Sequence, residues 1–281
     1  RGHLIKRAID SVLNQTYSNF ELIIVDDASK DKTYKIINSY SDKRIRYIKL
    51  DENTKGTKTR NIGIQNSRGK YIALLDSDDE WKKNKLETQL NYIKSFDNPR
   101  IMCFTDVIFK EKLKCTIAKN NPYKDENIID YIIIGNNFVQ TSTFMFPSKL
   151  GKEILFGNIQ KHQDWDFCLR LQRKGVRFLH LPVPLTIYHI DKRENRIATN
   201  RKYELSLLWI NSIRNEISEK AYYAFLANKV ASTLIINKKR KTALIYYIKA
   251  FQNESISIKN FIKGVLKCML PRSFWTIKWG K

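Results

Sequence analysis

Apolar and polar positions along residues 1–110 follow two periods in turn. In HLIKRAIDSVLNQ (3–15), Ile5, Ile9, Val12 and Leu13 share one face of a 3.6-residue helix. FELIIVDD (20–27) is a short apolar run of the kind buried on both faces of a sheet. KTYKIINSY (32–40) returns to the helical period and RIRYIKL (44–50) to the strand period. GTKTRNIGIQNSRG (56–69) predicts a helix closing on Gly69 as its C-cap, followed by a buried strand in KYIALLDSDD (70–79). An amphipathic helix in KKNKLETQLNYIKSF (82–96) and a strand in RIMCFTDVIF (100–109) complete the series. Strands alternating with helices at this spacing predict an α/β fold of βαβ units around a mostly parallel sheet.

Beyond residue 110 the alternation loosens. TSTFMF (141–146), VRFLHLP (176–182) and PLTIYHI (184–190) read as separate strands, and HQDWDFCLRLQRKG (162–175) as a helix ending at Gly175. After residue 200 the chain reads as helical, in RKYELSLLWINSIRNEI, KAYYAFLANKVASTLIINKKRKTALIYYIKAF and IKNFIKGVLKCML, and then PRSFWTIKWGK. The expected organisation is one α/β domain over 1–199 and a helical extension over 200–281. The sequence opens on RGHLIKRAIDSV, without Met and in mid-element, so a strand preceding it is expected to be absent from this chain.

Charge adds a partner class. With 51 Lys and Arg against 28 Asp and Glu, the chain carries a formal +23, which favours polyanionic partners. Residues 201–281 hold 16 basic and 4 acidic residues. Their Trp209, Tyr222, Tyr223, Phe225, Tyr246, Tyr247, Phe251, Phe274, Trp275 and Trp279 interleave with Lys and Arg, as suits an anionic membrane surface; an ordinary helical bundle with a solvated face is the bland alternative. No apolar run reaches the roughly 18 residues of a membrane span. Cys103, Cys115, Cys168 and Cys268 show no CxxC or zinc spacing and read as reduced thiols of a cytoplasmic protein, placed peripherally on the inner face of the membrane. A nucleic-acid partner is not expected, because no RNP, zinc-finger, KH or helix-turn-helix pattern accompanies the charge.

The acids are placed where a parallel sheet binds ligands. Asp26 and Asp27, and Asp76, Asp78 and Asp79, follow the carboxyl ends of two strands. Crowded carboxylates raise one another's pKa unless a cation sits among them, and Asp-x-Asp suits a hard divalent ion, Mn²⁺ or Mg²⁺. Asp79 is the best placed to cap a following helix. In QDWD, Asp164 and Asp166 point about 200° apart on a helix, so one can face the rim as a general base while the other pairs with Arg170. Gly56 permits close backbone approach, and Arg60 lies near a helix start that can meet phosphate or base.

AIDSVLNQTYSNFELIIVDDASKDKT, NTKGTKTRNIG, GKYIALLDSDDEW and QDWDFCLRLQRKG, in this order and spacing, resemble the family 2 glycosyltransferases over roughly residues 1–190. The resemblance implies a GT-A fold, inverting transfer from a nucleoside-diphosphate sugar, with a UDP-sugar as donor, and a glycan or lipid-linked acceptor in bacterial surface-polysaccharide synthesis. It places Asp27, with Asp26 beside it, at the nucleotide base together with Arg60, and Asp76 at the ribose. Asp78, with Asp76, falls at the metal, and His189 at the metal and diphosphate, although a His after a strand is commonly structural. Asp164 becomes the general base, with Gln163 and Trp165 on the acceptor side; Gln163 stands where the family carries Glu. Family members begin with a strand that contacts the nucleotide, and a chain without it is expected to be unstable or inactive. The rivals are a non-catalytic or nucleic-acid-binding basic module on a Rossmann-like fold.

Overall fold

Helix α1 (Gly2–Leu13) buries Ile5, Ile9 and Val12, and half-buries Leu13, along its apolar stripe. The computed structural model describes residues 2–54, 56–190 and 202–270. These form two compact units, residues 1–128 with 137–192, and residues 129–136 with 193–281.

In the first unit, β1 (Leu22–Asp26), α2 (Thr33–Ile37), β2 (Ile45–Lys49), α3 (Thr57–Asn66), β3 (Tyr71–Ala73), β4 (Glu80–Trp81) and α4 (Lys85–Lys94) follow one another. β5 (Ile101–Glu111) and β6 (Lys114–Ala118) come next. In the second unit's short insert lies most of α5 (Ile128–Ile134). The first unit then closes with β7 (Met145–Pro147), α6 (Ser148–Glu153), α7 (Gln163–Arg173) and β8 (Arg177–His189). β1 and β2 pair in parallel, Leu22 opposite Ile45. A second sheet runs β3–β7–β5–β8–β4, with β6 on β5. Its longest pairing, β5 with β8, is parallel, and the shorter ones are antiparallel. The antiparallel β5–β6 pair has a physical cause: two residues, Lys112 and Leu113, connect the strands, far too few for a crossover.

Two cores sit against these sheets. Ile5 and Ile9 of α1 meet Ile24 and Ile37. A larger cluster joins Val12, Trp81, Leu86, Leu90, Ile93, Ile101, Cys103, Met145 and Leu179. Lys85 lies fully buried beside this cluster, its Nζ donating to Gln89 Oε1 at 2.6 Å and standing 4.3 Å from the centre of the Trp81 ring. Burial pulls its amine down to about 7.

Several sequence expectations are corrected here. VRFLHLP and PLTIYHI are one strand, β8, because a register shift opposite Thr105 and Asp106 absorbs Pro182 and Pro184, which lack the N–H a regular ladder needs. Buried Asp106 pins the irregularity, accepting from Asn120 N and lying 2.9 Å from His180 Nε2. TSTFMF is strand only at its end: the Gln140 side chain accepts from Ser142 N and winds Thr141–Thr143 into a 3₁₀ turn. Gly69 does not cap α3, which ends at Asn66 with extended Ser67 after it. Gly175, at φ 69°, does follow α7, with Val176 N bonding Leu171 O and Gly175 N bonding Gln172 O, a Schellman ending.

The second unit contains α8 (Tyr203–Ser212), α9 (Glu219–Phe225), α10 (Ser232–Ile236), α11 (Arg240–Gln252) and α12 (Ile258–Met269). A π-helical turn over Leu226–Ala231 links α9 to α10, and Lys238 in the left-handed region breaks the long helical stretch before α11. PRSFWTIKWGK lies outside the described residues, as does the junction at 191–201. No described helix is long and apolar enough to cross a membrane.

Candidate active site

The site forms where β1 and β3 end. β1 stops at Asp26, whose buried carboxylate is committed inward: Oδ1 accepts from Ser29 N at 3.0 Å and Oδ2 from the Tyr47 hydroxyl at 2.7 Å. Burial raises the Asp26 pKa, but these hydrogen bonds outweigh it and hold the group below its ordinary value. Asp27, next along and half-buried, receives the Thr54 N–H at 2.6 Å and hydroxyl at 2.8 Å. Of the two acids, Asp27 is the one joined to the NTKG loop that leads into α3.

Gly56 precedes α3 at φ 94°, a conformation that favours glycine. The helix it starts carries Arg60 into the acids. Arg60 Nη2 donates to Asp76 Oδ1 at 2.7 Å and Nη1 to Gln163 Oε1 at 2.7 Å, with the guanidinium 5.5 Å from the centre of the Phe156 ring. Burial lowers the Arg60 pKa, but Asp76, Asp164 and Asp78 more than restore it, so it stays charged. A cation among the crowded carboxylates is therefore supplied by the chain itself.

The acids after β3 take different surroundings. The half-buried Asp76 donates its N–H to Ser142 Oγ, and that hydroxyl donates to Asp79 Oδ2 at 2.6 Å. Ser142 thus joins the two acids, while its carbonyl accepts from Trp81 Nε1 and Thr186 Oγ1. The carbonyl of Asp78 accepts from Arg7 Nη2 at 2.7 Å. Asp79 is buried and is not the helix cap expected: the chain enters β4, and α4 starts at Lys85 after Asn84. Burial, reinforced by the charges of Asp76 and Asp78, pushes its carboxyl up to about 8, and Oδ1 has no hydrogen-bond partner among the described residues.

Helix α7 brings the opposite wall. His162 precedes it in the left-handed region, and its ring stacks on Trp165 with centroids 5.4 Å apart. Gln163 is buried and bridges Arg60 to the Ile159 carbonyl. Asp166 lies 3.5 Å from Arg170 Nε, as the i,i+4 spacing anticipates. Asp164 accepts from Trp165 N at its own Oδ1. Burial pushes the Asp164 carboxyl up to about 6; Arg60 pulls it down and Asp76 adds to the rise.

For a divalent ion the donor set fits: Asp76 and Asp78 offer only oxygen, and their charges add to the burial that lifts Asp79. Among the described residues no three His, Cys, Asp or Glu side chains gather to enclose an ion, so phosphate oxygens would have to complete the shell, as is usual for Mg²⁺. His189 stands at the end of β8 with Nε2 3.0 Å from Glu80 Oε2. Burial, with Arg7 and Lys110, lowers its pKa and favours the neutral ring. Glu80 thus orients the ring.

Sequence reasoning missed Arg7, Ser142, Phe156 and His162. Ser142 and Phe156 carry no local signal, since Ser142 meets Asp79 across 63 residues and Asp76 across 66, and Phe156 meets Arg60 from a distant part of the chain.

A family model described as glycosyl transferase family 2 matches residues 1–154. The chain is 28% identical over 275 residues to the amylovoran biosynthesis glycosyltransferase AmsB of Erwinia amylovora, covering 94% of this chain and 91% of that one. It is 31% identical to the putative colanic acid biosynthesis glycosyl transferase WcaA of Escherichia coli K12, covering 72% and 73%. Among solved structures, S. aureus TarS 1–349 in complex with UDP-GlcNAc superposes with a TM-score of 0.67 at 17% identity, over 94% of this chain and 78% of that one. The mannosyltransferase PcManGT of Pyrobaculum calidifontis, in complex with GDP-Man and Mn²⁺, gives 0.60 at 14%, over 98% and 80%. The chain is a glycosyltransferase of family 2, with the GT-A fold.

Proposed function

We propose that this chain is an inverting, divalent-metal-dependent transferase. It moves a sugar from a nucleoside diphosphate, with a UDP-sugar as the first donor to test, to a hydroxyl of a glycan or lipid-linked acceptor in surface-polysaccharide assembly. The observation that carries the reading is Asp164, a carboxyl raised to about 6 at the wall facing Arg60 and the Asp76–Asp78 acids. A base poised near the working pH is what acceptor deprotonation requires. Relatives named for amylovoran and colanic acid biosynthesis support the polysaccharide context, and neighbours holding UDP-GlcNAc or GDP-Man support a nucleotide-sugar donor.

In this reading Asp27 meets the base, Asp76 the ribose side, and Asp78 with Asp76 would hold Mn²⁺ or Mg²⁺. When bound, the ion neutralises charge developing on the leaving diphosphate. The acceptor hydroxyl gives its proton to Asp164 Oδ2, since Oδ1 already accepts from Trp165 N. The acceptor oxygen forms a bond to the anomeric carbon while the bond to the diphosphate oxygen breaks and its electron pair leaves with the diphosphate. Attack from the opposite face inverts the configuration, through a transition state of oxocarbenium character. Arg60 holds Gln163 and Asp76 in register throughout. The stacked His162 and Trp165, both half-buried beside Asp164, offer a flat apolar face to the C–H side of an acceptor pyranose.

The test is a thermal-shift panel of UDP- and GDP-sugars with Mn²⁺ or EDTA, followed by NMR assignment of the product's anomeric configuration. One donor is expected to raise the Tm only with the cation, and the product to be inverted. Stabilisation by no donor, or a retained configuration, overturns the reading.

A further inference from the structure

Helix α12 buries one narrow face and leaves an apolar one uncovered among the described residues. Gly264 and Cys268 point inward, and a Cβ at Gly264 would lie 2.4 Å from the Tyr247 ring of α11, so that ring rests directly on the α12 backbone. Phe261 stacks on Phe251 of α11 with centroids 4.6 Å apart. At about 100° per residue, Ile258, Ile262, Val265, Leu266 and Met269 fall in an arc of about 100° that does not include this buried face. Ile258 is 57%, Ile262 50% and Met269 70% exposed. Lys259, Lys263 and Lys267 occupy the next strip round the helix, an arc of about 80°. α11 adds Ile245, Ile248 and Phe251, all exposed, with Lys241 and Lys249 between and beside them.

An exposed apolar stripe bordered by lysines is the pattern of a helix lying in a lipid interface. Two occupants compete for it, a bilayer and a second copy of the chain. Charge decides between them. From Arg240 to Lys281 the sequence holds nine Lys and Arg and a single acid, Glu254. A self-complementary dimer through this face would bring the same lysine rows together, whereas an anionic surface neutralises them. Residues 271–281 also carry Phe274, Trp275 and Trp279 with Arg272, Lys278 and Lys281 and no acid, a composition suited to the headgroup region.

We propose that α11 and α12 form a membrane-docking face, on which α12 lies in the plane of an anionic bilayer with Ile258, Ile262 and Met269 at the headgroup–acyl boundary and Lys259, Lys263 and Lys267 on lipid phosphates. The proposal goes beyond the transfer reaction and stands or falls apart from it. It places the enzyme on the surface where a lipid-linked acceptor would be held.

Flotation of the full chain with phosphatidylglycerol–phosphatidylcholine vesicles, and with phosphatidylcholine alone, tests it. Binding is expected to the anionic vesicles and to weaken with salt. Ile262→Ser is expected to lower partitioning about tenfold and Lys263→Gln about fivefold, with Tm unchanged because Ile262 is exposed and Lys263 partly so. Nucleotide-sugar binding in the thermal-shift assay is expected to be unaffected by either variant, which separates this face from the active site. Failure to float with anionic vesicles at low salt overturns the proposal. So does flotation that Lys263→Gln weakens and Ile262→Ser leaves intact, which is plain polyanion attraction. A solution dimer dissolved by Ile262→Ser also overturns it, since the stripe then belongs to a second copy.

Discussion

The pH dependence of transfer follows from the surroundings of Asp164. Burial and the charge of Asp76 raise its carboxyl to about 6, against an opposing pull from Arg60. An ordinary aspartate would remain a base down to about pH 4. Here the proton is held below pH 6, so kcat/KM is expected to fall about tenfold for each pH unit below that point, two units earlier than for an unperturbed group. Asp164→Asn removes the base and is expected to cut transfer by about 10²–10⁴ and to abolish the acid limb. Arg60→Met supplies the sharper test. It removes the charge that holds the carboxylate form, so the limb moves above 6 even as the rate falls from the loss of the bonds to Asp76 and Gln163. The assay is release of nucleoside diphosphate across pH with saturating cation, reading the position of the limb as well as its height. An Asp164→Asn enzyme with wild-type turnover, or an Arg60→Met limb that stays in place or moves down, refutes the assignment.

Two further outcomes test the rest of the site and the core. Asp78→Asn is expected to cost about 10²–10³ in rate and to remove the cation-dependent part of the donor's thermal shift, leaving the Tm of the chain alone unchanged; a retained cation response removes Asp78 from the metal. Lys85 has an amine near 7 in the fold and 10.5 when unfolded, so between those values the unfolded chain binds the extra proton and stability rises with pH. From about pH 7 to about pH 9 the gain is about 2–3 kcal/mol, and Lys85→Met, measured by urea midpoints, is expected to lose this slope; parallel curves for the two proteins would show that the lysine is solvated.

What the sequence made legible was what depends on local periodicity. The period switches over residues 1–110 correspond to α1, β1, α2, β2, α3, β3, α4 and β5, although the strand read over 70–79 spans only Tyr71–Ala73 and β4 went unread. The failures share a cause, a distant partner overriding a local preference. Pro182 and Pro184 read as a strand break until β5 supplies a register shift to accommodate them. Asp79 reads as a cap until Ser142, 63 residues away, turns it inward. Nothing in the amphipathic run 82–96 singles out Lys85, and only the fold shows that Trp81 and Gln89 enclose its Nζ. The carboxylates themselves were visible because Asp-x-Asp and QDWD are short motifs. Their differences, with Asp26 inward, Asp27 on Thr54, Asp79 buried on Ser142 and Asp164 poised, arise from burial and could not be read from spacing.

These differences also bear on why a chain of +23 would need an added cation at its reaction centre. Arg60 is already engaged by Asp76 and Gln163, and its field already offsets part of the rise at Asp164. A diphosphate entering this rim would meet Asp76 and Asp78 with that guanidinium committed, and would push the Asp164 carboxyl further up, away from the form that accepts a proton. Turning Arg60 toward the phosphates would take the guanidinium from Asp76 Oδ1 and Gln163 Oε1, at about 1–3 kcal/mol each. A divalent ion, which Asp76 and Asp78 would hold, would balance the incoming charge without disturbing that arrangement. Under the proposed mechanism the two positive charges would have separate tasks: Arg60 would fix the wall and the basicity of Asp164, and the ion would answer for the donor. Under that mechanism more arginine would not replace the metal, and added metal would not restore an enzyme that lacks Arg60.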